Sequence, residues 1–187
     1  MTRSHSKNGG TAIFCGTIAT ILYFIMIFGT LAHLEDVSGL TPFDMRPMGY
    51  TIDEAAQLLH ALGDAGRLFY LTKQIPLDFI YPPALAATLI FVLLWLRSSS
   101  NLSRYVSVGI WLAVGATLAD YAENAGIVFQ LVNWPNQQEG VVHATSIASV
   151  AKASLTTASI LLVAFVAFYR GYYRLSMAMT ATKPQPN

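Results

Sequence analysis

Long apolar runs alternate with polar segments along this chain, and four of the runs are long enough to cross a membrane. A hydrocarbon core of about 30 Å needs about 20 helical residues, and each run supplies that many. The pattern predicts an all-α membrane protein, in which four transmembrane helices form one bundle and one membrane domain over residues 11–170. The predicted spans are about 11–32, 77–96, 105–132 and 143–169.

The first outer connection is the longest and has two parts. Residues 34–50 contain acidic residues, two prolines and two glycines, which predicts an irregular loop. Thr51 and Glu54 then fit a capping box, after which apolar residues recur at helical spacing as far as Leu62. We expect a short extra helix over about residues 52–62, lying on the membrane surface or capping the bundle.

The composition agrees with a membrane location. Hydrophobic residues make up 54% of the chain and charged residues 11%, whereas a soluble domain has roughly 25% charged residues. Cys15 is the single cysteine, so an internal disulfide and a dithiol redox couple are both excluded. The first run also fits a signal peptide, but it exceeds the 7–15 residues of a typical signal core and no A-x-A site follows it. We interpret it as an uncleaved helix.

Loop charge predicts the orientation in the membrane. Three segments, the N-terminus, the connection between the second and third spans, and the C-terminus, contain basic residues and no Asp or Glu; their basic residues are Arg3, Lys7, Arg97, Arg104, Arg170, Arg174 and Lys183. Because positive loops stay in the cytoplasm, residues 1–10 and the tail 171–187 are predicted to be cytoplasmic. We expect a multi-pass protein of a bacterial inner (plasma) membrane.

Three spans also carry polar residues that are costly in lipid. In each span these residues recur at steps of three and four, so they share one helical face. Counted from the inner ends, the charged ones reach a common level roughly 22–29 Å above the inner boundary. A polar pocket in the outer-leaflet half is therefore predicted, with contributions from Arg67, Tyr70, Gln74, Asp78, Tyr81, Asp120, Tyr121, Glu123, Asn124 and Lys152.

Ionisable groups inside a membrane cost about 2.5–3.5 kcal/mol each and are read as functional by default. The catalytic hypothesis assigns acid–base roles to Asp78, Asp120 and Glu123, with Lys152 as counter-charge. Six further residues would orient a ligand, for which the depth favours an amphiphilic lipid or isoprenoid. These six are Arg67, Tyr70, Gln74, Tyr81, Tyr121 and Asn124. Whether the protein is an enzyme stays open.

Several other chemistries lack a pattern in the sequence. His33, His60 and His143 are scattered, so we expect no metal site. Gly-rich phosphate loops, nucleophile elbows and basic nucleic-acid patches are also missing from the sequence. We therefore expect no cofactor and no nucleic-acid partner, and the lipid bilayer is the predicted surrounding.

Two alternative functions remain. In the first, the polar cluster is the scaffold of a structural or partner-binding subunit. The Ser/Thr/Ala-rich stretch of residues 145–159 favours close helix packing within the chain or between copies, so a homo-oligomer is also open. In the second, the protein is a proton-coupled carrier. A carrier needs polar groups that continue to the inner face, and below Asp120 the third span is apolar apart from Thr117 and Ser107.

The polar motifs resemble those of small four-helix bacterial membrane proteins of unknown function. The resemblance rests on residues 66–70, Gln74, 77–78 and 81–82, followed by the Asp-Tyr-Ala-Glu-Asn motif at 120–124. It covers roughly residues 50–170. It implies that these polar positions belong together, and it implies no activity.

Topology reporters can test the predicted orientation. Reporters inserted at Gly9, Ser99 or Thr182 should give a cytoplasmic signal, and those at Gly39 or Gln137 an exterior one, because basic segments are retained inside. Alkaline phosphatase and green fluorescent protein fusions at the five positions measure this. An exterior signal at Ser99 would contradict the whole arrangement.

Overall fold

The computed structural model describes residues 2–97 and 102–181, and its regular structure there is entirely helical. Four continuous stretches are long and apolar enough to cross a membrane, namely Lys7–Ser38, Ile52–Leu96, Ser103–Val132 and Glu139–Tyr173. The predicted all-helical class and its four long apolar helices are thereby confirmed. The α-helices are α1 (Thr2–Ile25), α2 (Leu31–Ser38), α3 (Ile52–Phe69), α4 (Ile75–Leu96), α5 (Ser103–Val132) and α6 (Glu139–Ala181).

Two of the long stretches are interrupted by a π-helical turn. Met26–Thr30 joins α1 to α2, and Tyr70–Gln74 joins α3 to α4. Each turn admits an extra residue and rotates the following helix face, which is why such turns are frequent at functional sites. The two turns lie side by side, and the Thr30 hydroxyl donates a hydrogen bond to Gln74 Oε1. They bring the start of α4 next to the end of α1.

A separate short helix over residues 52–62 is not confirmed. The capping box is present, since the Thr51 side chain accepts from the Glu54 amide and the Glu54 carboxylate accepts from the Thr51 amide. The helical conformation stops after Leu62, as expected, but only for one residue. Gly63 adopts φ 60° and ψ −177°, a conformation that glycine tolerates, and the helix then resumes to Phe69 and continues into α4. Glycine here changes the direction of a helix that was expected to stop.

The loop predicted over residues 34–50 is partly helical. α2 extends to Ser38 and ends at Gly39, whose φ of 67° is left-handed. A single 3₁₀ turn, Phe43–Met45, follows. Residues 98–101 of the predicted inner connection, including Ser99, and the tail beyond residue 181, including Thr182, lie outside the described residues.

The long helices pack in a row rather than in a closed ring. α1 packs on α4, α4 on α5, and α5 on α6, and α6 also touches α4, whereas the described parts of α1 and α6 scarcely meet. One apolar core, centred on Leu34, Phe43 and Leu58, lies at the loop end of the bundle. A second, around Leu93 and Val166, lies at the opposite end. Along α4 and α5, the polar residues fall between the two cores.

Close contact between α5 and α6 depends on glycine, which gives a testable consequence. A Cβ at Gly126 would lie 2.8 Å from Thr145 Cβ, whereas at Gly115 it would lie 3.5 Å from Leu155 Cδ1, an ordinary contact. Gly126→Ala should therefore destabilise the protein by about 1–3 kcal/mol, as overpacking does. Thermal unfolding in detergent measures it against Gly115→Ala as the matched control. Equal melting temperatures for the two variants would contradict the packing argument.

Candidate ligand pocket

A buried ion pair between α5 and α6 lies at the centre of the polar cluster. Lys152 Nζ contacts Glu123 Oε2 and lies 3.9 Å from Asp120 Oδ1. Glu123 is fully buried, and its other oxygen accepts a hydrogen bond of 2.5 Å from the Ser149 hydroxyl, one turn before Lys152 in α6. Both oxygens of Glu123 are thus occupied by α6.

Two consecutive prolines decide how α4 joins the cluster. Pro82 and Pro83 lack N–H groups, so the carbonyls four residues earlier, those of Asp78 and Phe79, lose their helical donors. α5 supplies replacements. Asn124 Nδ2 donates to the Asp78 carbonyl at 3.4 Å and to Asp120 Oδ1 at 3.1 Å. These bonds link the backbone of Asp78 to the side chain of Asp120.

Tyr121 serves the second freed carbonyl in the same way. Its hydroxyl donates to the Phe79 carbonyl at 3.1 Å, and its ring stacks on the Phe79 ring with centroids 4.9 Å apart. Sequence analysis expected Tyr121 to orient a ligand. In the structure its hydroxyl is bound to backbone, which gives it a helix-joining role.

The outer loop contributes Asp44, an acid that sequence analysis did not select. Tyr70 donates its hydroxyl to Asp44 Oδ2, and Gln74 Nε2 approaches Oδ1 at 3.5 Å. Phe43 directly precedes Asp44, and its fully buried ring, 4.7 Å from the Tyr50 ring, fixes this part of the loop. Helical periodicity does not predict the position of Asp44. Its only signal is the pair of apolar neighbours in a polar loop.

Tyr50 anchors the other end of this loop to α5 and α6. Its amide donates to Ser146 Oγ at 2.8 Å, and its hydroxyl accepts from Gln130 Nε2 at 3.3 Å. Burial raises the pKa of the Tyr50 phenol above its usual value, so this group stays neutral. The loop is therefore held over the polar cluster by uncharged bonds.

A cavity of about 260 Å³ lies between α1 and α6, with the polar cluster as one wall. Its polar wall is formed by Asp44, Asp78, Asp120 and Lys152. Asp78 is only 2% exposed, and its Oδ2 atom has no hydrogen-bond partner among the described residues. The rest of the lining is mostly apolar or aromatic: Tyr23, Met26, Ile27, Leu31, Met45, Tyr81, Leu85, Ala153, Thr156 and Thr157.

The structure brings most of the expected site residues together. Tyr70, Gln74 and Asn124 bond to carboxylates of the cluster, and Tyr81 lines the cavity. Glu123 joins through Lys152 and Ser149 and is not part of the cavity wall.

Arg67 lies apart from this cluster. Its guanidinium bonds to Asp64 and to the Leu59 carbonyl and lies over the Trp134 ring, 5.6 Å from the ring centroid. Its expected place among the ligand-binding residues followed from helical spacing alone. The π turn over Tyr70–Gln74 alters that spacing.

Metal chemistry has no counterpart in this cluster. Within residues 2–97 and 102–181, no three His, Cys, Asp or Glu side chains are arranged to hold a metal ion. The carboxylates instead bond to amide, hydroxyl and ammonium groups. No N–H or O–H group of the described residues donates to Asp78 Oδ2.

Comparison with known proteins provides no relative from which a function could be transferred. No family model, curated protein or solved structure matches the chain. The function is therefore argued from the pocket itself.

A double-mutant cycle tests the coupling of Glu123 and Lys152. Glu123→Gln or Lys152→Met alone should lower stability by about 3–5 kcal/mol, because each leaves a buried charge with too little compensation. The double variant should recover much of that loss. Thermal unfolding in detergent measures the cycle, and Glu139→Gln, at an exposed carboxyl at the start of α6, is the control. Additive losses in the double variant would show that the two charges are not coupled.

Proposed function

We propose that this protein is a polytopic membrane protein whose pocket binds an amphiphilic, lipid-like ligand. The polar head of the ligand lies against Asp44, Asp78 and Asp120, and its apolar chain leaves between α1 and α6. The observation that carries the proposal is a cavity that is polar on one side and apolar on the other. Its polar wall includes the buried carboxyl of Asp78, to whose Oδ2 atom no N–H or O–H group of the described residues donates. Buried polar atoms in folded proteins nearly always have a partner, so a missing one calls for an explanation.

The size and position of the cavity support an amphiphile. Small-molecule pockets usually have about 300–1,000 Å³, so about 260 Å³ holds a head group and the first part of a chain. The remainder of the chain needs an apolar exit. Since α1 and α6 scarcely touch in the described residues, lipid surrounding the bundle supplies that exit sideways.

The acid–base roles in the proposal differ between the carboxyls. Asp78 lines the cavity, and its Oδ2 atom has no N–H or O–H donor among the described residues, so it is the group suited to exchange a proton with a bound head. Asp120 lines the cavity beside Lys152 and stabilises the positive charge of the Lys152 ammonium group. Glu123 holds Lys152 in place and does not reach the ligand. The proposed location is a bacterial inner membrane, with both termini in the cytoplasm and the pocket in the outer-leaflet half.

The rival functions explain less of this geometry. A scaffold accounts for the Glu123–Lys152 pair but not for a carboxyl oxygen left without a partner. A proton-coupled carrier needs a polar route past Asp120. The space beyond it has about 20 Å³, roughly one water, and its walls are mostly Pro, Leu and Ala side chains.

Blocking the cavity tests the proposal. Ala153 lines the cavity, whereas its neighbour Ser154 is exposed on the outer side of α6. Ala153→Phe should reduce co-purified lipid about tenfold, the change that a loss of about 1.4 kcal/mol in binding produces, and Ser154→Phe should not. Mass spectrometry of lipid extracted from the purified variants measures this, with thermal unfolding to establish that both are folded. Equal lipid content in wild type and Ala153→Phe would refute the proposed site.

A further inference from the structure

We infer that the head group recognised by this pocket is a cation, an ammonium carried on a single apolar chain. The inference rests on the proposed function and adds the chemical class of the ligand. It follows from three separate features: the charge of the pocket wall, the partners already engaged within it, and the aromatic side chains opposite.

The pocket wall has more acidic than basic groups. Asp44, Asp78 and Asp120 line the cavity, and Lys152 is the one basic side chain beside them in the described part of the chain. Lys152 is already engaged by the fully buried Glu123 and by Asp120. One ammonium group cannot balance Glu123 and the three aspartates of the cavity wall together.

The remaining partners of the cluster are neutral donors. Asp44 receives hydrogen bonds from Tyr70 and Gln74, and the amide of Asn124 bonds to Asp120. The Asp78 side chain is 2% exposed, and no N–H or O–H group of the described residues donates to its Oδ2 atom. Its neighbour there is the carboxyl of Asp44, a second acidic group. Burying a carboxylate without a partner is costly. A ligand that brings a positive charge and an N–H group, or a positive charge alone, removes that cost.

The aromatic residues of the cavity distinguish an ammonium from other cations. Tyr23 of α1 and Tyr81 of α4 both line the cavity, with ring centroids 6.1 Å apart and ring planes inclined by 33°. Ammonium groups are attracted to aromatic faces within about 6 Å, and this is how proteins bind quaternary ammonium ligands. The carboxylates lack a metal-binding arrangement within the described residues. An organic cation therefore fits both the carboxylate wall and the aromatic side of the cavity.

Three probes with the same dodecyl chain separate head-group charge from chain binding. The full-length protein in a neutral maltoside detergent is equilibrated with radiolabelled dodecyltrimethylammonium, and unlabelled dodecyltrimethylammonium, dodecanol and dodecyl sulfate compete for it. We expect dodecyltrimethylammonium to compete at a concentration about tenfold lower than dodecanol, as one modest charge interaction gives. Dodecyl sulfate should not compete. Binding to Ala153→Phe defines the background outside the cavity.

Charge-neutralising variants assign the preference to the pocket. Asp78→Asn should weaken binding of dodecyltrimethylammonium about tenfold, and Asp44→Asn, a change in the outer loop, gives a second measurement if the first variant does not fold. Glu139→Gln removes an exposed carboxyl away from the cavity and should leave the affinity unchanged. Unchanged affinity in both aspartate variants would overturn the inference.

The outcomes separate this inference from the function on which it rests. If dodecanol competes as well as the ammonium, or dodecyl sulfate competes better, the cationic head is wrong while the amphiphile pocket stands. The same holds if no probe binds but native lipid is still lost in Ala153→Phe. If no probe binds and no lipid co-purifies with wild type, the proposed function and the inference both fail.

Discussion

The ion pair between Glu123 and Lys152 is the interaction around which the other polar groups of the bundle are arranged. Ser149 and Lys152 lie one turn apart on α6, and together they occupy both oxygens of Glu123. That fixes the register of α5 against α6, the pair of helices with the most extensive contact. Asp120, one turn before Glu123, is thereby directed toward the cavity beside the same lysine. Charged groups in an apolar medium need such partners, and satisfying one of them positions the next.

The prolines of α4 add the second constraint, and they act through backbone atoms. Each removes a helical donor, and a free carbonyl in an apolar surrounding must find another. Asn124 and Tyr121 of α5 supply the two donors, so α4 is tied to α5 at the level of the cluster. Because Asn124 also holds Asp120, the backbone of Asp78 and the side chain of Asp120 share one amide. This arrangement leaves Asp78 Oδ2 without an N–H or O–H donor. In the proposed function, a bound ligand interacts with this carboxyl.

Much of this fold follows from the sequence, because the features involved are local. Apolar length predicts the four long helices, and steps of three and four residues predict that Asp120, Glu123 and Lys152 lie on inward faces. The features that the sequence does not predict are non-local or depend on irregular backbone. Asp44 reaches the cluster because Phe43 is buried between distant aromatic rings. Arg67 lies apart from the cluster because the π turn that follows it alters the helical phase. The sequence places Tyr121 among the ligand contacts. Its hydrogen bond to the Phe79 carbonyl depends on the pairing of α4 with α5, which helical spacing does not show.

The row-like packing of the helices connects these details to access from the membrane. α1 approaches α4 closely at glycines: a Cβ at Gly16 would lie 3.2 Å from Thr88 Cγ2, and one at Gly9 would lie 3.2 Å from the Trp95 ring. Bound tightly on that side, α1 makes little contact with α6 in the described residues. The two π turns then set the C-terminal end of α1 beside the start of α4, where the Tyr23 ring contacts the Tyr81 ring. A closed ring of four helices would enclose the carboxylates completely and leave no cavity beside them. An open row leaves room for the cavity beside them, between α1 and α6, and the proposed ligand requires that geometry.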